Sequence, residues 1–228
     1  VICALDTTDF EEASRWVRRL SPHVGAFKIG HGLVLGHGLD VIRRLQDVGA
    51  PRIFLDLKFH DIPNAVAIAV CQAARRDVWM LTVHTAGGPG MLHAAVEEAK
   101  NAPIEPPIVV GVSVLTSLDQ HILGEHLGVQ RTVEEHMVYL SKLAVDCGLD
   151  GVVCSAPEIA AVRESIGRCP LIVTPGIRLG GADPDDQRRV GTAQQAIADG
   201  ADFLVIGRPL TSAPDPAEAL AQFELAHA

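Results

Sequence analysis

IFLDLKFHDIPNAVAIAVCQAARR, residues 53–76, holds one complete unit of the pattern on which the whole chain is built. Its first part, 53–58, is a short apolar run bounded by polar residues, the signature of a strand. Its last part, 64–76, repeats apolar residues at helical spacing, and a loop carrying His60, Asp61 and Pro63 divides the two. The same alternation recurs along the sequence. Strands are expected at 1–5, 26–29, 53–58, 80–84, 108–114, 151–154, 171–174 and 203–206. Helices are expected at 8–20, 39–46, 64–76, 91–100, 133–147, 157–165, 192–199 and 216–226. The first helix opens with Thr8-Asp9-Phe10-Glu11, a capping-box pattern. The Gly30-His31-Gly32-Leu33 and Gly36-His37-Gly38-Leu39 repeat reads as a turn feeding a helix.

Strands separated by helices must run parallel. Eight such units in 228 residues predict an α/β fold, a (β/α)₈ TIM barrel, which needs roughly 200–250 residues. No linker or shift in composition divides the chain, so residues 1–228 read as one domain. Hydrophobic residues make up 48%, enough for a sizeable core. With 19 Lys and Arg against 28 Asp and Glu, the net charge is −9, which argues against non-specific nucleic-acid binding. The five cysteines, Cys3, Cys71, Cys147, Cys154 and Cys169, show no C-x-x-C spacing and read as reduced, small core residues. With no apolar run of spanning length and no basic leader, a cytoplasmic location without membrane contact is expected.

In such barrels chemistry sits where strands end. The polar residues at those positions are Asp6, Lys28, Asp56, Lys58, Asp61, Thr116, Arg178 and Arg208. Alternation along the third strand puts Phe54, Asp56 and Lys58 on one face. A buried lysine alone would tend to lose its proton, and flanking carboxylates keep it charged and able to protonate a carbon centre. Lys28, ending the second strand, extends this to an array of Lys28, Asp56, Lys58 and Asp61. A second constellation is Thr174-Pro175-Gly176-Ile177-Arg178 with Ile206-Gly207-Arg208-Pro209, after the seventh and eighth strands. Barrels often bind phosphate there. Glycines let backbone N–H groups approach, and arginine supplies a fork of donors. The stretch 178–191, with Gly180-Gly181, reads as a lid. Of the histidines, His60 reads as packing, and His121, His126 and His136 as solvated. No metal-ligand spacing, P-loop or nucleophile elbow is found.

The motif Asp56-x-Lys58-x-x-Asp61-Ile62-Pro63-Asn64 resembles the signature of the orotidine 5′-phosphate decarboxylase family. Ala4-Leu5-Asp6, Phe27-Lys28-Ile29-Gly30, Leu115-Thr116-Ser117, 147–155, 173–178, Asp186-Gln187-Arg188-Arg189 and 205–209 resemble its bacterial branch. The resemblance implies decarboxylation of orotidine 5′-phosphate to uridine 5′-monophosphate, without a cofactor or metal. It implies Lys58 as proton donor to C6 within the Lys28, Asp56, Lys58 and Asp61 array. It also implies a substrate site in which Asp6 and Lys28 hold the ribose and Thr116 the ring. Ile62 and Pro175 line that site, and Arg178, Gln187, Gly207 and Arg208 hold the phosphate or its lid. Finally it implies a homodimer in which Asp61 reaches the neighbouring site. Two alternatives stand beside it: a Mg²⁺-dependent sugar-phosphate synthase or decarboxylase sharing D-x-K-x-x-D, and a non-catalytic nucleotide-binding barrel.

One position departs from the family pattern. Ala65 stands where a threonine is usual. That threonine would meet a ribose hydroxyl, and a neutral hydrogen bond contributes about 0.5–1.5 kcal/mol. Ala65→Thr should therefore raise kcat/KM by no more than about tenfold, as steady-state kinetics on both forms will show. An inert parent switched on by the threonine would contradict this.

Overall fold

The strands run Ile2–Ala4, Ala26–Ile29, Ile53–Phe59, Met80–His84, Ile108–Val112, Gly151–Val153, Leu171–Thr174 and Phe203–Ile206 in the computed structural model, which describes residues 1–178 and 191–224. Each pairs in parallel with its neighbours, and the first closes on the last through Ile2↔Val205 and Cys3↔Ile206. The expected (β/α)₈ barrel is therefore the observed one.

Alternation explains where the core lies. Ile2, Ala4, Ala26, Phe54, Met80, Val110, Val173 and Val205 fill the barrel interior as one buried cluster. Cys3, Leu5, Phe27, Ile29, Ile53, Leu55, Leu81 and Val83 belong to the larger outer cluster beneath the helices. Burying a side chain such as Phe54 contributes about 1.5–3 kcal/mol. The apolar plug fills the lower barrel, so polar side chains are left to the upper rim.

Several boundaries differ from the sequence reading. The first strand is shorter at both ends. The fifth stops at Val112 and the sixth at Val153, while the third continues to Phe59. The first helix, Phe10–Leu20, is capped by Asp9 and not by Thr8. The Asp9 carboxylate accepts the Glu11 and Glu12 N–H groups at 2.8 and 3.4 Å, a charge-assisted cap that begins the helix two residues later than expected. The true capping box is at Thr132 and Glu135, opening helix Val133–Asp146. The Gly-His repeat forms a helix, His31–His37, not a turn. Gly32 is tolerated within it because a Cβ there would meet the Thr7 carbonyl oxygen at 2.9 Å. A 3₁₀ turn, Ala156–Glu158, precedes helix Ile159–Ile166, and a four-residue helix, Arg208–Thr211, directly follows the eighth strand. Residues 177–178 and 191–192 pair as two short parallel strands. The expected lid otherwise falls on 179–190, outside the described residues.

The five cysteines are free thiols, but they are not all core residues: Cys71 is half-buried and Cys169 exposed. His136 is also half-buried, stacked on Tyr139, and not solvated like the exposed His121 and His126. Among the described residues no helix is long and apolar enough to cross a membrane.

Close packing between strands sets one test of this fold. A Cβ on Gly151 would collide with the carbonyl oxygen of Leu171 on the next strand, whereas one on Gly124 meets nothing within 4 Å. Gly151→Ala should lose about 1–3 kcal/mol, a fall in Tm of several degrees, with Gly124→Ala close to parental in thermal unfolding.

Candidate active site

The site begins with a defect in a strand. Leu55 pairs with Leu81 and Phe59 with Val83, so Asp56, Leu57 and Lys58 together stand opposite the single residue Thr82. Extra residues on one strand form a bulge, which re-aims side chains at barrel rims. Lys58 adopts a φ of 50°, in the left-handed region that a non-glycine residue occupies at a cost of about 1–3 kcal/mol. Simple alternation put Asp56 and Lys58 on one face. They do meet, but through this bulge.

Four charges alternate across three strands. Asp6 lies just beyond the first strand and accepts from Lys28 Nζ at 3.1 Å. Lys28 Nζ is 3.5 Å from Asp56 Oδ2, and Lys58 Nζ donates to Asp56 Oδ1 at 2.8 Å. Register explains the meeting: Ala4 pairs with Lys28, and Lys28 with Phe54, so the three strands bring their rim residues to one corner. The side chains of Lys28 and Asp56 are only 13% and 14% exposed, so neither charge is well solvated. Burial alone would raise the Asp56 carboxyl. Lys28 and Lys58, with hydrogen bonds from Lys58 and Thr82, outweigh it and hold the group below the usual carboxylate range. Burial alone would lower Lys28, but Asp56 and Asp6 hold its ammonium above the usual lysine value. Asp56 and Lys28 are thus each held in the charged form.

This array forms one wall of a cavity of about 250 Å³. Thr116, Pro175, Gly176, Gly207 and Arg208 lie around the same cavity, as do the apolar Val112, Val114 and Ile177. Gly176 has a φ of 77°, which suits glycine, and Arg208 begins the short helix after the eighth strand. Lys28, Asp56 and Lys58 of the first constellation therefore share one cavity with Pro175, Gly176, Ile177, Gly207 and Arg208 of the second. Asp61 and Ile62 do not line it: both are exposed on their own chain, Ile62 at 68%. Gln187 lies outside the described residues, as does the side chain of Arg178. Among the described residues no group of three or more His, Cys, Asp or Glu side chains is placed to hold a metal ion.

Sequence reasoning missed two neighbours. Thr82 is fully buried on the fourth strand. Its hydroxyl accepts the Lys58 N–H at 2.8 Å and donates to Asp56 Oδ1 at 3.1 Å. Its only sequence signal is its place two residues after the inward Met80. His84 stacks on His60 with ring centroids 4.9 Å apart, and burial, His60 and Lys58 push its imidazole down to about 4. It is therefore neutral near pH 7. Cys3 lies behind Asp6 with its thiol pushed up to about 12 by burial and by Asp6, which makes it a poor nucleophile.

A family model described as orotidine 5′-phosphate decarboxylase / HUMPS family matches residues 1–223. The chain belongs to this family. It is 47% identical to the orotidine 5′-phosphate decarboxylase of Nitrosococcus oceani over 98% of its length and 95% of the relative's. It is also 47% identical to that of Moorella thermoacetica, over 96% and 88%. Among solved structures it superposes on orotidine 5′-phosphate decarboxylase from Lactobacillus acidophilus with a TM-score of 0.87 and 34% identity, covering 99% of this chain and 97% of that one.

The electrostatics of the charged array can be tested by stability. Lys28→Met keeps the apolar stem but leaves Asp56 with one ammonium partner. Removing one member of a buried pair costs about 3 kcal/mol at the lower end of such cases, and Lys58 remains to soften the loss. Asp56 has a lowered native pKa, so its contribution is present above the ordinary value of about 4 and is lost as pH falls through the native one. Lys28 has a raised native pKa, so its contribution is full below about 10.5 and fades as pH rises through the native value. Denaturant titrations should therefore show the largest gap between parent and Lys28→Met near neutral pH, narrowing below about pH 4. A gap independent of pH would contradict the array.

Proposed function

We propose that this chain decarboxylates orotidine 5′-phosphate to uridine 5′-monophosphate in pyrimidine biosynthesis, with Lys58 as proton donor to C6. The observation that carries the reading is the Asp6–Lys28–Asp56–Lys58 array opening into the cavity that Gly207 and Arg208 also line.

The chemistry follows from that arrangement. The bond from C6 to the carboxylate breaks, CO₂ leaves, and the electron pair stays on C6. The Lys58 ammonium stabilises this charge and then delivers its proton to C6, to be recharged from water after product leaves. Because Asp56 and Lys28 are already fixed, little reorganisation is needed as charge develops, which is the source of electrostatic preorganisation. Asp56, near the substrate carboxylate, disfavours the ground state more than the state from which CO₂ has gone. Asp6 and Lys28 hold the ribose, and Thr116 contacts the ring. Pro175, Arg178, Gln187, Gly207 and Arg208 complete the nucleotide site, with Ile62 reaching it from a second copy of the chain. Binding energy from the remote phosphate then contributes to rate as well as affinity. No cofactor or metal takes part, and neither nucleic acid nor membrane is a partner. The reaction is placed in the cytoplasm.

The proposal includes a homodimer with Asp61 supplied across the interface. Supporting it, Asp61 and Ile62 are exposed and do not line their own cavity. Helix Pro63–Ala74 is apolar beyond its buried Val66 and Val70, with Ile68 56% exposed. A helix apolar on more than one face calls for a partner on each.

The alternative is a Mg²⁺-dependent sugar-phosphate enzyme of the same barrel. Against it, Asp56 is already engaged by two ammonium groups, which compete with a divalent cation. The direct test is a spectrophotometric assay with orotidine 5′-phosphate, with and without EDTA. Turnover indifferent to the chelator is expected, and absence of turnover with this substrate would overturn the reading. The interface has its own test. Lys58→Ala and Asp61→Ala subunits, each inactive alone, should recover about a quarter of parental activity after random exchange in a two-fold dimer. No recovery despite proven exchange would place Asp61 outside the partner's site.

A further inference from the structure

The bulge at Asp56–Lys58 raises a question that the charged residues do not answer. A bulge removes ladder partners from the residues it inserts, and a backbone N–H left without an acceptor in a buried site is costly. Lys58 is also held at a φ of 50°, a conformation that persists only when its surroundings over-determine it. Something must hold this turn, because the direction of the Lys58 side chain depends on it.

On the fourth strand, the residue facing Asp56, Leu57 and Lys58 is Thr82. Its hydroxyl accepts the Lys58 backbone N–H at 2.8 Å, standing in for the missing ladder carbonyl. The same hydroxyl donates its proton to Asp56 Oδ1 at 3.1 Å, the oxygen that receives the Lys58 ammonium at 2.8 Å. One side chain therefore closes a ring: Lys58 N–H to Thr82, Thr82 to Asp56, and Asp56 to Lys58 Nζ. A hydroxyl suits this task because it donates and accepts at once. Thr82 is fully buried and does not line the cavity, so it can reach a substrate only through its neighbours.

We propose that Thr82 is a positioning residue for proton transfer, its hydroxyl fixing the backbone of Lys58 and the carboxylate of Asp56 in one rigid unit. The proposal rests on the reading of Lys58 as proton donor. It predicts that losing the hydroxyl misdirects the ammonium without disturbing nucleotide binding at the far end of the cavity. It also predicts a change in Asp56, which is faced by Lys28 and Lys58, with Asp6 beyond Lys28 and His84 near Lys58. The Thr82 hydrogen bond favours the ionised carboxylate, so its loss moves the Asp56 titration to higher pH.

Thr82→Val keeps shape and branching but removes the hydroxyl, and Thr82→Ser keeps the hydroxyl. Relative to the parent, Thr82→Val should lose about 10- to 100-fold in kcat, as small misplacements of reacting groups do. Its affinity for uridine 5′-monophosphate should stay within about twofold, and the acid limb of its pH profile should move to higher pH. Thr82→Ser should recover kcat to within a few-fold. A kcat for Thr82→Val within twofold of parent would overturn the proposal. So would a parallel loss of product affinity, or a Thr82→Ser variant no better than valine. Thr82→Ala is the second hydroxyl-free variant; if it and Thr82→Val fail to fold while Thr82→Ser folds, the hydroxyl serves stability and the proposal falls. The parent and Lys58→Ala are assayed alongside. An inactive parent or an active Lys58→Ala would defeat the functional reading itself, whereas both behaving as expected with a normal Thr82→Val defeats only the role of Thr82.

Discussion

A carboxylate held between two ammonium groups is the constraint around which the rest of this structure is arranged. Asp56 is buried, and an isolated buried carboxylate would take up a proton sooner than remain charged. It stays ionised because Lys28 arrives from the second strand and Lys58 from its own. Lys28 in turn needs Asp6, which the barrel supplies by pairing the first strand with the second at Ala4↔Lys28. The charged corner thus depends on parallel register, and the register depends on the apolar plug of Ile2, Phe54, Met80 and their neighbours inside the barrel.

The same constraint explains why local regularity is broken where it is. A regular third strand would run on in register with the fourth and would have no need of a left-handed residue. The bulge and the positive φ at Lys58 are local costs, accepted at the one place where an ammonium must be aimed into the cavity. Around the same rim, Gly176 and Gly207 carry no side chain where the chain turns past the seventh and eighth strands, and Arg208 follows Gly207 at once. The charged array and Arg208 therefore come from different strand ends of one rim, the rim on which barrels of this kind carry their sites.

Much of this was legible in the sequence because it rests on period and punctuation. Short apolar runs between helical patterns gave the eight strands, and alternation put Asp56 inward with Phe54. What escaped was set by tertiary packing. A threonine within Met80–His84 carries no mark of function until the register places it opposite the bulge. The helix His31–His37 was hidden by its glycines, of which Gly32 has its reason in the nearby Thr7 carbonyl. Asp9 displaced Thr8 as cap because two candidate caps adjoin, and the carboxylate reaches two N–H groups. Asp61 and Ile62 belong to a further class. The family motif implies a role for them, yet both are exposed within one chain, and only the proposed homodimer would bring them to a site.

In the proposed reaction the other charged groups serve the ammonium of Lys58, and one substitution interrogates it. Lys58→Ala should fold, bind uridine 5′-monophosphate through the phosphate end of the cavity by calorimetry, and show no measurable turnover of orotidine 5′-phosphate. Turnover above a few per cent of parental in a folded Lys58→Ala protein that still binds the product would contradict the assignment, for the proton would then have to reach C6 from another group.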